Sequence, residues 1–167
     1  MQRKTYGFMT VAMAFALTAG AGAVPTAAEA RGAHRERCVA VTEAQVNELF
    51  TAFNDGFQTR NPDAMVPLFS RDAVLLPTVS GRMRTDAAGI RDYFVSFLAN
   101  RPFGTVTESE TMVGCNVATR VGNWTVRLTN PTSGETSEVA ARFSFVYVYE
   151  DGAWKIAHLH SSVRPAN

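Results

Sequence analysis

The sequence predicts an α+β domain in which three helices pack on one face of a curved, mostly antiparallel sheet. Three observations carry this. Residues 42–100 hold apolar residues at helical spacing with a single strand pattern among them. Residues 105–163 are rich in β-branched and aromatic residues, broken at Gly, Asn and Asp. Within that second stretch Asp151 and Gly152 sit between two strand patterns, a strong signal for a two-residue hairpin. Helices first and strands afterwards is the ordering of an α+β domain.

Residues 1–30 are set apart. Arg3 and Lys4 precede the apolar run "FMTVAMAFAL", and "AEA" at Ala28–Ala30 has the small residues of a cleavage site. This predicts a secretory signal peptide cleaved near Ala30, with "AGA" ending at Ala23 as an earlier site. The run is too short to span a membrane. The expectation is a secreted or periplasmic protein with no membrane contact after cleavage. Residues 31–41 form a polar tail, and 42–164 suit one domain. Cys38 and Cys115 are the only cysteines, and in an oxidising compartment they are expected to form one disulfide. The 16 basic residues against 15 acidic ones form no run, which argues against a nucleic-acid partner.

Thr42 caps the first helix, "TEAQVNELFTAFNDGFQTR", whose Val46, Leu49, Phe50, Phe53 and Phe57 share a face. Asn61 and Pro62 open a second, short helix in "NPDAMVPLFS". "AVLLPTVS" (73–80) reads as a strand. "TDAAGIRDYFVSFLAN" is the third helix, with Ile90, Tyr93, Phe94, Phe97 and Leu98 on one side. Four strands follow: "TVTESETMV", "NVATRVGNWTVRLT", "EVAARFSFVYVYE" and "AWKIAHLHSS".

Strict alternation through the Asp-Gly hairpin pairs Tyr149 with Trp154, Tyr147 with Ile156, Phe145 with His158 and Phe143 with His160. All eight would share one face, turning from apolar to polar towards the chain end. The opposite face would carry Val146, Val148, Ala157 and Leu159, an apolar patch that a solvated sheet does not need. It predicts a homodimer or higher homo-oligomer through the outer face. The preceding hairpin, with the loop "NPTSGETSE", has two registers. One centred on Gly134 puts Asn123, Thr125 and Arg127 on the aromatic and histidine face; a slip of one residue puts Trp124, Val126 and Leu128 there.

The element order resembles the nuclear transport factor 2-like superfamily, with its SnoaL-like and ketosteroid isomerase-like branches. More narrowly, "DGAWKIAHLHSS" and "WTVRLTN" resemble the association domain of calcium/calmodulin-dependent protein kinase II. The resemblance implies a cone whose open end is a pocket, and assembly through the sheets. Arg127 matches that family's pocket arginine, and His158 and His160 match its two histidines. Two further basic positions of the family fall here on Phe145 and Ser161.

The candidate ligand-binding residues are therefore Asn123, Arg127, Phe145, Tyr147, His158 and His160. Two function classes follow. One is a secreted oligomer that binds a small organic molecule, neutral or anionic, as arginine favours carboxylates. The other is a SnoaL-like enzyme with His158 and His160 as catalytic acid and base, since imidazole titrates near neutral pH. Asp92 is the nearest carboxylate, off the buried stripe of its helix. Two histidines supply too few ligands for zinc, so neither metal nor cofactor is expected.

Overall fold

The Thr42 hydroxyl accepts a hydrogen bond from the Gln45 N–H (3.2 Å), and the Gln45 side-chain oxygen accepts one from the Thr42 N–H (2.9 Å). This reciprocal cap, a device worth about 1 kcal/mol, opens α1 (Glu43–Thr59), which buries Val46, Phe50, Phe53 and Phe57. The computed structural model describes residues 38–166; the leader reading of residues 1–30, and residues 31–37 of the tail, lie outside the described residues. Asn61 caps α2 (Pro62–Met65), which tightens into a single turn over Val66–Leu68. Pro67 within that turn has no N–H to continue an α-helical ladder.

β1 (Phe69–Leu76) begins four residues earlier than the alternation suggests and stops before Pro77. The loop 77–86 then folds back: Leu75 and Arg84 exchange both backbone hydrogen bonds, at 2.8 and 2.9 Å. α3 (Ala87–Ala99) is capped by Asp86, whose carboxylate accepts from the Gly89 N–H at 2.6 Å. It buries the five expected apolar residues. Arg91 grips Asp63 through Nε (2.6 Å) and Nη2 (3.2 Å), tying α3 to α2.

Four strands follow, β2 (Phe103–Val113), β3 (Val117–Thr129), β4 (Thr136–Glu150) and β5 (Ala153–Val163). The sheet order is β1-β5-β4-β3-β2, antiparallel except for β1 beside β5. The helices cover one face, as expected. The expected Cys38–Cys115 disulfide is formed, with Cα atoms 5.0 Å apart. Beside it, the Asn116 side chain accepts from the Val39 N–H (2.7 Å), so the segment before α1 is held to the β2–β3 turn by bonds of two kinds.

Two register expectations are corrected. In the β4–β5 hairpin Tyr149 opposes Trp154 and Tyr147 opposes Ile156, as alternation requires. Ala157 is then an extra residue: the next pairs are Val146 with His158, Phe145 with Leu159, Ser144 with His160 and Phe143 with Ser161. One inserted residue exchanges the faces of everything beyond it. Leu159 and Ser161 turn inward, and both histidines turn outward. The driving force is plain: the bulge buries Leu159 in place of an imidazole. In the β3–β4 hairpin the strands lie three residues from the Gly134-centred pairing, with Trp124 opposite Ala141 and Val126 opposite Val139, which gives the faces of the second option but not its register. Asn130 sets it, its side chain accepting from the N–H groups of Thr132 and Ser133 at 2.8 and 3.0 Å.

The expected outer patch changes accordingly. Val146 and Val148 are on the outer face and half-buried, but Leu159 belongs to the core. Val74 and Leu76 of β1, beside His158 and His160, and Val121 of β3 join the outer face instead.

Candidate functional site

The six residues expected to form a site are not brought together. Phe145 and Tyr147 lie inside, at 0% and 1% exposure. Phe145 is ringed by Phe50, Phe53, Trp124, Phe143 and Tyr147 with centroids 5.1–6.3 Å away, which is packed core rather than pocket wall. Asn123 and Arg127 are on the outer face. Asn123 donates to Glu108 at 2.9 Å, and Arg127 lies over the Phe103 ring at 5.6 Å. His158 is half-buried there and His160 exposed. Burial of His158, and then the charge of His160, hold the His158 imidazole below its ordinary value.

What the fold builds instead lies at the end of the cone closed by the loop 77–86. The interior space between α1, α3 and the sheet holds only about 20 Å³, room for about one water. Its polar groups satisfy one another: Trp124 Nε1 donates to Ser161 Oγ at 3.1 Å, and Thr78 Oγ1 hydrogen-bonds the same oxygen. Tyr93 and Phe97 separate this space from a second, outer cleft of about 330 Å³. That volume is at the lower end of the range for small-molecule sites.

α3 frames the cleft with two stripes. Tyr93 and Phe97 form an apolar wall, and Asp92, Ser96 and Asn100, four residues apart, form a polar rim. Facing them from the loop are Val79, Ser80 and Arg84. Arg84 is only 9% exposed. Its Nη1 donates to Ser80 Oγ (3.1 Å) and to the Arg82 carbonyl, and its guanidinium lies 5.7 Å from the Tyr93 ring centroid. Its Nε is buried without a partner. Burial pushes the Tyr93 phenol well above its ordinary value, against the pull of the Arg84 charge, so Tyr93 stays a neutral hydrogen-bonding group.

A second arginine, Arg120, is 8% exposed on the inner face. It stacks 4.8 Å from the centroid of Phe50 and donates through Nε and Nη2 to Ser109 Oγ at 3.3 and 3.1 Å. Burial lowers its pKa, opposed by Tyr147 and Glu43. Arg120 borders no cleft described here. Neither arginine stood out in the sequence. Arg120 shares parity with Trp124, so the register with Trp124 inside places it inside as well. Arg84 sits in an aperiodic loop, where no pattern distinguishes it from Arg82. Among the described residues no three His, Cys, Asp or Glu side chains cluster as metal ligands would.

A model of the SnoaL-like domain matches residues 46–166. In fold the chain is similar to a protein from Xanthomonas campestris provisionally named a calcium/calmodulin-dependent protein kinase II association domain. The two are 36% identical, over 76% of this chain and 91% of that one, with a TM-score of 0.72. It is also similar to a Streptomyces avermitilis protein of the NTF2-like family provisionally named a dehydratase (13% identity, 74% and 96% coverage, TM-score 0.66). A nuclear transport factor 2-like superfamily protein from Salmonella enterica is a third (17%, 74% and 91%, TM-score 0.65). No curated protein matches the chain. Cone, mixed sheet and family match agree: the chain belongs to the SnoaL-like domain family, on the nuclear transport factor 2-like fold.

Proposed function

We propose that this is an exported, self-associating domain that binds a small organic molecule in the cleft between the loop 77–86 and α3. The observation that carries the reading is the cleft itself: an apolar wall of Tyr93 and Phe97 beside polar groups converging from Arg84, Asp92, Ser96 and Asn100. Export is supported by the Cys38–Cys115 disulfide and by the leader-like residues 1–30. No described helix is long and apolar enough to cross a membrane. Association through the sheet is supported by half-buried Val74, Leu76, Val121, Val146 and Val148 on a face that helices do not cover. The name given to the Xanthomonas relative points the same way.

Native mass spectrometry of gently purified protein tests the binding reading. A small-molecule adduct is expected, and Ser96→Trp, which fills the cleft from an exposed position, should abolish it. An adduct that survives Ser96→Trp, or none in the parent, speaks against the cleft.

One observation favours an enzyme as a second reading: the cleft has a carboxylate, Asp92, beside Tyr93. Acid–base chemistry in the cone would then run through Asp92, because both histidines face outward. Asp92→Asn should remove turnover while leaving binding in place.

A further inference from the structure

The Arg84 guanidinium is a cation that offers five N–H donors in a fixed fork. It is nine-tenths buried, yet the ion pairs among the described residues are Arg71–Asp151 and Arg91–Asp63, and Arg84 makes none. Ser80 and the Arg82 carbonyl occupy Nη1, and the guanidinium carbon lies over the Tyr93 ring, 5.7 Å from its centroid. Nε is buried with no protein partner, and Nη2 makes no hydrogen bond among the described residues. The same chain shows what such a donor is suited to: Arg91 Nη2 donates to a carboxylate oxygen of Asp63 at 3.2 Å. A charge buried with no counter-charge is costly, and a well-placed anion offsets part of that cost. Arg120 is buried to the same degree, but it has Ser109 and the Phe50 ring and adjoins no cleft described here.

Resting on the cleft reading above, we propose that the occupant is a small organic monocarboxylate. Its carboxylate meets Nη2 of Arg84, and its apolar part lies along Tyr93 and Phe97. The volume of about 330 Å³ limits it to a small molecule. Asp92 on the opposite rim adds a negative charge, which disfavours phosphates and other multiply charged anions.

The test uses three probes on the disulfide-bonded protein by isothermal titration: 3-phenylpropanoate, 3-phenylpropanamide and inorganic phosphate. The carboxylate should bind about 10–100-fold more tightly than the amide, the range for a charge-assisted hydrogen bond. Phosphate should bind more weakly than the carboxylate. Arg84→Met should bring the carboxylate and amide affinities to within about twofold of each other. Should Arg84→Met fail to fold, the comparison in the parent still decides, and Arg84→Lys should give an intermediate preference. Equal affinity for carboxylate and amide in the parent overturns the inference and leaves the cleft reading standing. So does a folded Arg84→Met that keeps the full preference. Phosphate binding as tight as the carboxylate overturns the organic class, and failure of both phenyl probes to bind removes the cleft reading and this inference together.

Discussion

The two faces of one sheet are built from the same five strands, yet their polar residues meet different fates. On the inner face the polar groups are few and enclosed: Ser161 is held between Trp124 and Thr78, and Arg120 between Phe50 and Ser109. On the outer face His158, His160, Asn123 and Arg127 stand among half-buried valines, at least partly open to water. The inner side is therefore packed core, with the cleft lying beyond it between the loop carrying Arg84 and α3. The outer side is a partly open protein surface. Residue type alone does not separate the two, because a histidine belongs equally well to a pocket or to an interface. Which side it takes rests here on one residue, Ala157.

The sharpest contrast in stability should follow. Phe145→Ala removes a fully buried ring from an aromatic cluster and should cost about 3–5 kcal/mol. His160→Ala, on the exposed face, should stay within about 0.5 kcal/mol. Urea unfolding of the two variants checks this; similar losses would mean that His160 is core after all. Next in size is Val148→Glu. If the outer face mediates association, an unpaired charge there should weaken the oligomer more than 100-fold and leave the folded protomer intact. Light scattering with circular dichroism measures both, and a monomeric parent would remove the outer-face reading.

Much of the fold was legible from the sequence. Helix periodicity and caps locate α1 and α3, the Asp-Gly turn locates the last hairpin, and the cysteine pair gives the disulfide. The site was less legible, for a physical reason. Face assignment along a strand propagates from the turn, so one undetected bulge inverts everything past it. A trace of it is present: Trp154, Ile156 and Leu159 are apolar at spacings of two and then three, the mark of one extra residue. The β3–β4 loop failed differently. Gly134 has a left-handed φ of 71° and drew attention as the turn centre, but Asn130 organises that turn.

Deletion of Ala157 should therefore be tolerated, costing within about 1–2 kcal/mol, because it removes the bulge and keeps Leu159 inside and the histidines outside. In a strand without a bulge the same deletion would exchange the faces and unfold the hairpin. The smallest effect is one of pH. The folded protein holds His158 below its ordinary value of 6.5, so the unfolded chain takes up its proton first as pH falls. Stability should drop modestly as pH falls below about 6.5 and level off once the folded group titrates. His158→Gln should remove that slope in urea midpoints measured between pH 7.5 and 5.

The central claim is that the binding site is the cleft between the loop 77–86 and α3, and not the histidine face. Amide chemical-shift mapping with 3-phenylpropanoate tests it most directly. The expected result is saturable shifts confined to residues 79–84 and 92–100, with His158 and His160 unmoved. Shifts centred on His158, His160 and their β1 neighbours Val74 and Leu76, with the cleft silent, would contradict the account.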